Sequence, residues 1–408
     1  MKTRGVVART VELRDETDVF GVLARPDGRL WRRDGLTIAA WGEHVRIPVE
    51  RDRTRFQRAS ADLDGVWETI SWDEGAPPIA YGSFSFDESS PDSILVVPSA
   101  WITSDDAGIR LTTLGDHEVA VPRRPPTSSP DRIRYAGSTL PETEWLEAVD
   151  ESLRAIDTGA LQKVVLCRDV LVWSKSPFDL PSLVERLCEA YPACYVFACD
   201  GLVGASPELL ARTTGGVVSS IVLAGTAARG GDGDADDLLG AALLASDKDL
   251  REHDFAVASV LRALDGHMLD VTVDGPQLLR LANVQHLATR VEGRALEATK
   301  ALEVVGWLHP TAAVCGTPTQ PAMDIIRSSE RMDRGRYTGP VGWMDATGAG
   351  EWAIALRCGQ FQDGRGRIFA GSGIVEGSEP ERELEETRLK LRAIRSALEG
   401  RTVGGAEL

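Results

Sequence analysis

Two acidic stretches of the sequence place carboxylates at a spacing that could bind a hard cation. In "SDKDLREH", Asp249 and Glu252 are three residues apart, and in "SEPERELEETRLK", Glu383, Glu386 and Lys390 fall at positions i, i+3 and i+7. Residues at these spacings share one face of a helix. Either face alone is explained by a solvated, salt-bridged helix. If the two faces converge, they could bind Mg²⁺, which takes one or two carboxylates together with water and substrate oxygens.

A lysine and a glutamate stand in apolar surroundings where acid–base chemistry is possible. Lys163 heads the strand-like run "KVVLCRDVLVW", a position at which a lysine is ordinarily exposed to solvent. Glu208 follows a Ser-Pro turn in "GASPELLAR". Its apolar neighbours could raise its pKa and keep it protonated as a general acid. An exposed turn glutamate is the alternative.

Two further polar residues and one glycine-rich turn could contact an anionic ligand. His286 in "NVQHLATRV" and Arg357 in "AIALRCG" each interrupt an apolar strand, which ordinarily indicates a hydrogen-bonded core residue. The planar fork of Arg357 can bind a carboxylate bidentately. Around Gly373, "FAGSGIVEGSEPE" leads from a strand into a helix, and such a turn exposes backbone N–H groups to an anion. Its spacing matches no dinucleotide fingerprint, and "GTAARGGDGD" lacks the GK[ST] of a P-loop.

Composition excludes several classes of function. The chain has 408 residues, 43% of them hydrophobic and 26% charged, with a net charge of −17, as in a globular protein. The negative charge argues against nucleic acid as a partner. There is no apolar run of about 18 residues that could span a membrane, and the stretch "MKTRGVVARTVELRD" lacks the apolar core expected of a signal peptide. Six scattered cysteines without a CxxC pair indicate neither zinc nor disulfides. We expect a cytoplasmic protein with reduced, buried thiols.

Short elements in the sequence favour an α+β fold. Residues 1–120 read as antiparallel strands, and the proline-rich segment 121–132 reads as a linker between parts 1–130 and 131–400. Helices are predicted over 143–159, ending at Gly159, and over 246–266, where Ser246 and Asp249 form a capping box. Residues 231–238, "GDGDADDL", are predicted as an acidic loop. Strands mostly follow strands, which predicts large antiparallel sheets.

Nine sequence blocks, in order, resemble one family. They are "KVVLCR", "GASPELLAR", "LAGTAARG", "DKDLREH", "VQHLATRVEG", "HPTAAVCGTP", "RYTGPVGW", "GEWAIALRC" and "FAGSGIVEGSEPERELEET". In these blocks the chain resembles the chorismate-utilising enzymes, which include anthranilate synthase component I, aminodeoxychorismate synthase, isochorismate synthase and salicylate synthase. The resemblance implies a layered β-sandwich of two large antiparallel sheets with helices packed outside. Residues 1–130 would be its divergent part and 131–400 its chorismate-binding region, within one structural domain.

Particular residues favour the isochorismate synthase branch. The segment "EHDFAVASVLRAL" lacks the Arg-Asn-Asp triplet usual in anthranilate-forming members, and Ala224 stands where aminodeoxychorismate synthases typically have a lysine. Lys163 matches the lysine of the branch that adds water to chorismate. The resemblance therefore implies an isomerase that converts chorismate to isochorismate. Lys163 would be the general base for water attacking C2, and Glu208 the general acid that protonates the departing C4 hydroxyl.

The resemblance also implies a cofactor and a set of substrate contacts. Mg²⁺ would be bound by Glu252 and Glu386, with Asp249 and Glu383 as further metal-site carboxylates acting through water. Arg357 and Tyr337 would donate to the enolpyruvyl carboxylate, and the backbone of Gly373 would help to hold the ring carboxylate. The remaining predicted substrate-binding residues are Thr226, His286 and Lys390.

Three alternatives remain open in the sequence. A salicylate synthase shares Lys163 and Glu208, adds the elimination of pyruvate, and usually has a tyrosine at the position of Tyr337, although "HPTAAVCGTP" and "GPVGW" look more like isochorismate synthases. An amination enzyme would make 2-amino-2-deoxyisochorismate with a glutaminase partner. A catalytically dead chorismate-binding regulator would normally have lost one of the site residues. We expect a monomer without an obligate protein partner, serving siderophore or menaquinone biosynthesis.

Overall fold

The protein is described from a computed structural model, which covers residues 5–73, 76–115, 120–124 and 132–401. Most of the predicted linker 121–132 lies outside these residues, so the boundary between 1–130 and 131–400 stays a prediction. Within the described ranges, no helix is long and apolar enough to cross a membrane. All six cysteines are buried and free of disulfides, as the scattered cysteine pattern predicts.

The described residues form twenty-two strands, eight α-helices and one short 3₁₀ helix. The strands, in chain order, are β1 (Val6–Glu12), β2 (Arg29–Arg33), β3 (Leu36–Trp41), β4 (Val45–Arg46), β5 (Ile70–Ser71), β6 (Ile79–Ser83), β7 (Ile94–Val97), β8 (Ala100–Asp105), β9 (Gly108–Leu114), β10 (Arg134–Tyr135), β11 (Lys163–Trp173), β12 (Tyr195–Cys199), β13 (Leu202–Ser206), β14 (Leu209–Thr214), β15 (Val217–Ala228), β16 (Met268–Arg280), β17 (Val284–Ala295), β18 (Gly316–Thr317), β19 (Pro340–Asp345), β20 (Gly350–Ile354), β21 (Cys358–Gln362) and β22 (Arg365–Val375). The helices are α1 (Arg55–Trp67), α2 (Glu142–Asp157), α3 (Leu180–Ala190), α4 (Gly233–Leu244), α5 (Asp247–Leu264), α6 (Ala301–Leu308), α7 (Thr319–Ser329) and α8 (Pro380–Glu399), and the 3₁₀ helix is Val19–Ala24.

Two large sheets organise the molecule. The first has thirteen strands in the order β10-β11-β22-β21-β13-β12-β2-β3-β8-β9-β1-β5, with β18 added beside β11. The second has nine strands in the order β16-β17-β15-β14-β20-β19-β6-β7-β4. Strands from the first 115 residues occur in both sheets, since β2 pairs with β12 and β6 pairs with β19. Nearly all pairings are antiparallel; β1 and β5 run parallel.

The thirteen-stranded sheet is buried on both faces. On β12, Tyr195 and Phe197 belong to the core cluster that also contains Trp352 of the nine-stranded sheet. Val196 and Ala198, which point the other way, belong to a second cluster with residues of α3 and α8. Since successive side chains of a strand face opposite sides of the sheet, the first cluster is the sandwich interior and the second lies under outer helices. The predicted α+β sandwich is confirmed.

The helices that flank the site begin and end largely where their capping residues predict. Helix α2 is followed by Gly159, whose φ of +77° lies in the left-handed region. Ser246 caps α5 and accepts a hydrogen bond from the backbone of Asp249. The loop predicted over 231–238 is wrong, because the Asp232 carboxylate accepts the N–H of Ala235 and starts α4 at Gly233.

Candidate active site

One pocket in the sandwich gathers residues from distant parts of the chain. Its lining includes eight of the twelve predicted site residues: Glu208, Thr226, Glu252, His286, Tyr337, Arg357, Gly373 and Lys390. Of the other four, Lys163 contacts Glu252 and Glu386 contacts Lys390, both of which line the pocket. Glu383 shares the hydroxyl of Ser372 with Glu386, and Asp249 lies on α5, three residues before Glu252. The pocket is therefore built from β11, the turn before β14, β15, β17, α5, α8, β22 and the segments before β19 and β21.

Lys163 is fully buried, so the interpretation as a solvent-facing strand end is wrong. It is the first residue of β11 and pairs on one side with Val375 of β22 and on the other with Thr317 of β18. Its exposure is 0%, and its Nζ lies 3.2 Å from a carboxylate oxygen of Glu252 and 3.4 Å from the Glu252 carbonyl oxygen. A buried lysine needs such partners. Its strand neighbours fix its amine against α5.

Glu208 is a buried carboxyl group that stays protonated at neutral pH. The side chain is 3% exposed, and burial raises its pKa to about 8. A backbone hydrogen bond from Leu223 and the positive charges of Lys163 and Lys390 act in the opposite direction but are smaller. A glutamate with these properties can donate a proton at physiological pH, which is the property predicted for it from its apolar neighbours.

Arg357 and His286 form a directed hydrogen-bond pair. Arg357 Nη2 lies 2.9 Å from His286 Nε2, and a guanidinium only donates, so Nε2 is the acceptor. His286 Nδ1 then carries the hydrogen and donates to the Gly225 carbonyl, 3.2 Å away, beside Thr226 Oγ1 at 3.1 Å. Burial first, and the nearby Arg357 and Lys390 charges second, lower the pKa of His286 well below its usual value. The neutral imidazole therefore orients the guanidinium.

Arg357 and Tyr337 are held rigidly at the pocket wall. Arg357 has a φ of +49°, a left-handed conformation that is uncommon for arginine and concentrates at functional sites. The ring of Tyr337 stacks on Phe369 at a centroid distance of 4.8 Å and an interplanar angle of 9°. Burial raises the pKa of Tyr337 well above its usual value. The phenol thus remains a hydrogen-bond donor.

The carboxylates of α5 and α8 converge beside the pocket around a serine and several lysines. Ser372 Oγ lies 2.6 Å from Glu383 and 3.0 Å from Glu386, so its single hydrogen is shared between two carboxylates. Glu383 also contacts Lys248 at 2.5 Å, and Glu386 contacts Lys390 at 2.5 Å.

Asp249 faces the same cluster of carboxylates. It accepts a short hydrogen bond from the Ser246 hydroxyl, at 2.5 Å. Burial, with the repulsion of Glu252 and Glu386, raises its pKa. The four predicted carboxylates therefore lie close enough to influence one another, and the two acidic helix faces do converge.

Residues 111–399 match the sequence profile of a family described as chorismate binding enzymes. The chain belongs to this family. Isochorismate synthase EntC of Escherichia coli is 36% identical over 321 residues, covering 77% of this chain and 79% of the relative. The salicylate biosynthesis isochorismate synthase of Pseudomonas aeruginosa is 32% identical over 452 residues, covering 98% of this chain and 91% of the relative.

The match to another relative is shorter, and solved structures extend the likeness to the fold. Isochorismate synthase MenF of Bacillus subtilis is 38% identical over 270 residues, which span 65% of this chain and 57% of that relative. The structure of MenF, the menaquinone-specific isochorismate synthase of Escherichia coli, gives a TM-score of 0.83 at 25% identity over 97% of this chain and 95% of that one. The structure of anthranilate synthase component I of Streptococcus pneumoniae gives a TM-score of 0.72 at 21% identity, covering 88% of this chain and 92% of that one. The last likeness concerns the fold, and it confirms the predicted fold of this chorismate-binding enzyme.

The carboxylate cluster suits a hard divalent cation. Burial, together with repulsion from Glu386, raises the pKa of Glu383, because a second negative charge is unfavourable beside the first in a buried site. Gly373 leaves room for the Glu252 carboxylate, because a Cβ at that glycine would lie 1.9 Å from Glu252 Oε1. In the described part of the chain, no three His, Cys, Asp or Glu side chains converge as a metal site. Mg²⁺ uses few protein carboxylates and completes its shell with water and substrate, and its binding at this cluster stays a prediction from the sequence.

Sequence reasoning missed two residues of this cluster. Lys248 lies in the "DKDL" block between Asp247 and Asp249, and Ser372 lies between two glycines of "GSG". Both were inside blocks that carry the family resemblance. A single charged residue in an acidic helix, or a serine in a glycine-rich turn, gives no signal of its own about which distant carboxylate it contacts.

Proposed function

We propose that this chorismate-binding enzyme is an isochorismate synthase. The observation that carries the proposal is that two residues of one pocket are Glu208, a buried glutamic acid whose pKa is raised to about 8, and Glu252, which contacts the fully buried Lys163. A base and an acid of this kind are what the addition of water at C2 and the loss of the C4 hydroxyl require. The names of the curated relatives support the same reaction.

The proposed reaction moves a hydroxyl group without net oxidation. Lys163 accepts a proton from water as the water oxygen bonds to C2, and the ring double bonds shift. The C4–O bond breaks, and Glu208 gives its proton to the departing hydroxyl, which leaves as water. One water molecule enters and one leaves, so the product is an isomer of chorismate. For this, Lys163 must be neutral and Glu208 protonated when the substrate is bound.

Donors on the pocket wall would hold the substrate carboxylates. Arg357, oriented by His286, and the phenol of Tyr337 are proposed to bind the enolpyruvyl carboxylate, and Thr226 lines the same side. The backbone at Gly373 and the ammonium of Lys390 are proposed for the ring carboxylate. An acidic protein can attract a dianion only through such a local group of donors.

Mg²⁺ is proposed as the cofactor, held by Glu252 and Glu386, with Asp249 and Glu383 acting through water. When bound, the ion supplies positive charge for the ring carboxylate and helps to orient the substrate. Lys390 contributes positive charge to the same cluster, since its ammonium contacts Glu386, one of the two proposed ligands.

An end-point assay tests the proposed function. The protein is purified alone and incubated with chorismate and Mg²⁺, and the products are separated and identified by mass. Formation of an isomer of chorismate without pyruvate would support the proposed reaction. Because the protein is purified alone, it would also support an activity that needs no protein partner. Salicylate together with pyruvate would show a salicylate synthase, and a product that forms only with ammonia would show an amination enzyme. The isomer would supply a siderophore or menaquinone pathway.

A further inference from the structure

A second buried ion pair lies behind the pocket, and the proposed chemistry does not use it. Glu330 follows the last residue of α7, and Arg334 lies four residues later; their side chains are 1% and 2% exposed. Arg334 also lies over the ring of Phe86, 4.2 Å from its centroid. A buried ion pair is weak evidence for a purely stabilising role, because a well-packed apolar replacement is often as stable. Its hydrogen bonds suggest a different role.

Arg334 uses all five of its N–H groups on defined partners. Nε donates to Glu330 Oε2 at 2.8 Å. Nη2 donates to the carbonyl of Val165 at 2.8 Å and also to Glu330 Oε1. Nη1 donates to the carbonyl of Val314 at 2.8 Å and to Thr338 Oγ1 at 3.3 Å. The rigid fork of an arginine can meet these acceptors together, whereas a lysine has three donors on one nitrogen.

Glu330 connects the same pair to the strand that carries Lys163. Its Oε1 accepts the backbone N–H of Cys167 at 2.8 Å. Cys167 and Val165 both belong to β11, which starts at Lys163. The ion pair therefore binds this strand through one N–H and one carbonyl, close to the pocket.

The other partners of Arg334 also belong to the pocket. Val165, Val314 and Thr338 all line it, and Thr338 directly follows Tyr337. Thr338 has a φ of +61°, so its segment is held in a conformation that needs support. Arg334 thus joins three separate segments: the start of β11, the loop before β18 and the turn that presents Tyr337.

We propose that Arg334, held by Glu330, is a positioning residue that sets the distance between the strand bearing Lys163 and the segment bearing Tyr337. The inference rests on the proposed function, in which Lys163 acts on a substrate whose carboxylate Tyr337 binds. Neither Glu330 nor Arg334 is among the described residues that line the pocket. Their effect is to keep the base and the carboxylate donor in register across the pocket.

Arg334→Lys is the direct test, with Arg29→Lys as its matched control. Arg29 is also buried, at 0% exposure, and pairs with Glu43 and Asp200, which are not among the described residues lining the pocket. Misplacement by about 1 Å can cost about a hundredfold in rate. We expect kcat of Arg334→Lys to fall by about tenfold to a hundredfold, with a much smaller change in KM. We expect Arg29→Lys to lose about as much thermal stability as Arg334→Lys while keeping the kcat of the wild type. A wild-type kcat in Arg334→Lys, or an equal loss in both variants, would overturn the inference.

Amide hydrogen exchange separates this inference from the proposed function and does not depend on turnover. In the wild type, the Cys167 amide and the backbone around Thr338 should exchange as slowly as the centre of the β11–β22 ladder. In Glu330→Gln, where Gln can still accept one hydrogen bond, exchange should quicken in both segments together. Fast exchange in the wild type, or unchanged exchange in the variant, would overturn the positioning role. If the wild type makes no isochorismate while this coupled protection is present, the proposed function fails and the structural link stands.

Discussion

Lys163 and Glu252 are in direct contact: the ammonium nitrogen lies 3.2 Å from a carboxylate oxygen, inside the sandwich. The contact joins the residue proposed as general base to one proposed as a metal ligand. A substitution at Glu252 removes a contact of the Lys163 amine, and a substitution at Lys163 removes a contact of the proposed metal ligand. The proposed acid–base and metal functions are therefore coupled in this protein, and substitutions at either residue should not be independent.

The first prediction concerns the base. Lys163→Gln keeps a side chain that can hydrogen-bond Glu252 but cannot act as a base at neutral pH. General-base catalysis contributes about 10² to 10⁴ in rate, so kcat should fall by at least about a hundredfold, while chorismate still binds in equilibrium dialysis. Lys175, a lysine in an exposed stretch, gives the control substitution Lys175→Gln, which should leave both quantities unchanged. Normal turnover in Lys163→Gln would contradict the assignment.

The second prediction concerns pH. Burial raises the pKa of Glu208 to about 8, so its proton is present below that pH and lost above it. A general acid works only while it is protonated, and kcat/KM should therefore fall as pH rises through about 8. A pH–rate profile that stays flat to about pH 9.5, well above this pKa of about 8, would argue against Glu208 as the acid.

Stability provides an independent check on the same carboxyl group. The folded pKa lies above the ordinary value of 4.5. The stabilising contribution of protonated Glu208 is therefore complete below about pH 4.5 and is lost as pH rises through about 8. We therefore expect the melting temperature of Glu208→Gln minus that of the wild type to increase as pH rises across this interval. This comparison does not require the variant to be active. A constant difference between the two proteins would show that Glu208 is not a buried acid.

The third prediction concerns the metal. Glu386→Gln removes one proposed Mg²⁺ ligand while keeping an acceptor for Ser372, which lies 3.0 Å away. Losing even a supporting contact in a metal site costs about tenfold to a hundredfold in affinity, so calorimetry should show Mg²⁺ binding weakened by at least about tenfold. Glu385→Gln, on an outward-facing side of the same helix, is the matched control. An unchanged Mg²⁺ titration in Glu386→Gln would remove this residue from the site.

The fourth prediction concerns the orientation of Arg357. His286 supplies the acceptor for the guanidinium at 2.9 Å, and hydrogen bonds to charged groups contribute about 1.5–3 kcal/mol. His286→Leu should therefore raise KM for chorismate by about tenfold or more. His286→Gln, which can present an amide oxygen, should recover part of this loss. Equal KM values in all three proteins would show that His286 does not hold Arg357.

The sequence was sufficient for the fold class but not for every element. Periodicity and capping residues predicted α2 and α5, whose signals are local. Helix α4 was missed because its first turn, "GDADD", contains the glycine and aspartates that also form loops, and here Asp232 uses its carboxylate as an N-cap. The same residue types form loops and helix N-termini, so composition alone does not separate the two.

The site shows the same division between local and long-range information. Glu208 could be recognised from its apolar neighbours, and Asp249, Glu252, Glu383 and Glu386 from helical spacing. The contact of Lys163 with a residue 89 positions away depends on the fold, so the residue types alone favoured an exposed lysine and only the family resemblance pointed to a role. Lys248, Glu330 and Arg334 look like ordinary surface charges in the sequence. Their partners are distant in the chain, and a single sequence does not contain those pairings.

The most direct test of the account follows the oxygen atoms. The purified protein is incubated with chorismate and Mg²⁺ in water labelled with heavy oxygen, and the isomer that forms is isolated and its mass measured. If Lys163 activates water for attack at C2 while Glu208 assists the loss of the C4 hydroxyl, each molecule of isochorismate should carry one heavy oxygen from solvent. Isochorismate without the label would contradict the proposed addition of water, and the absence of any isomer would contradict the proposed function itself.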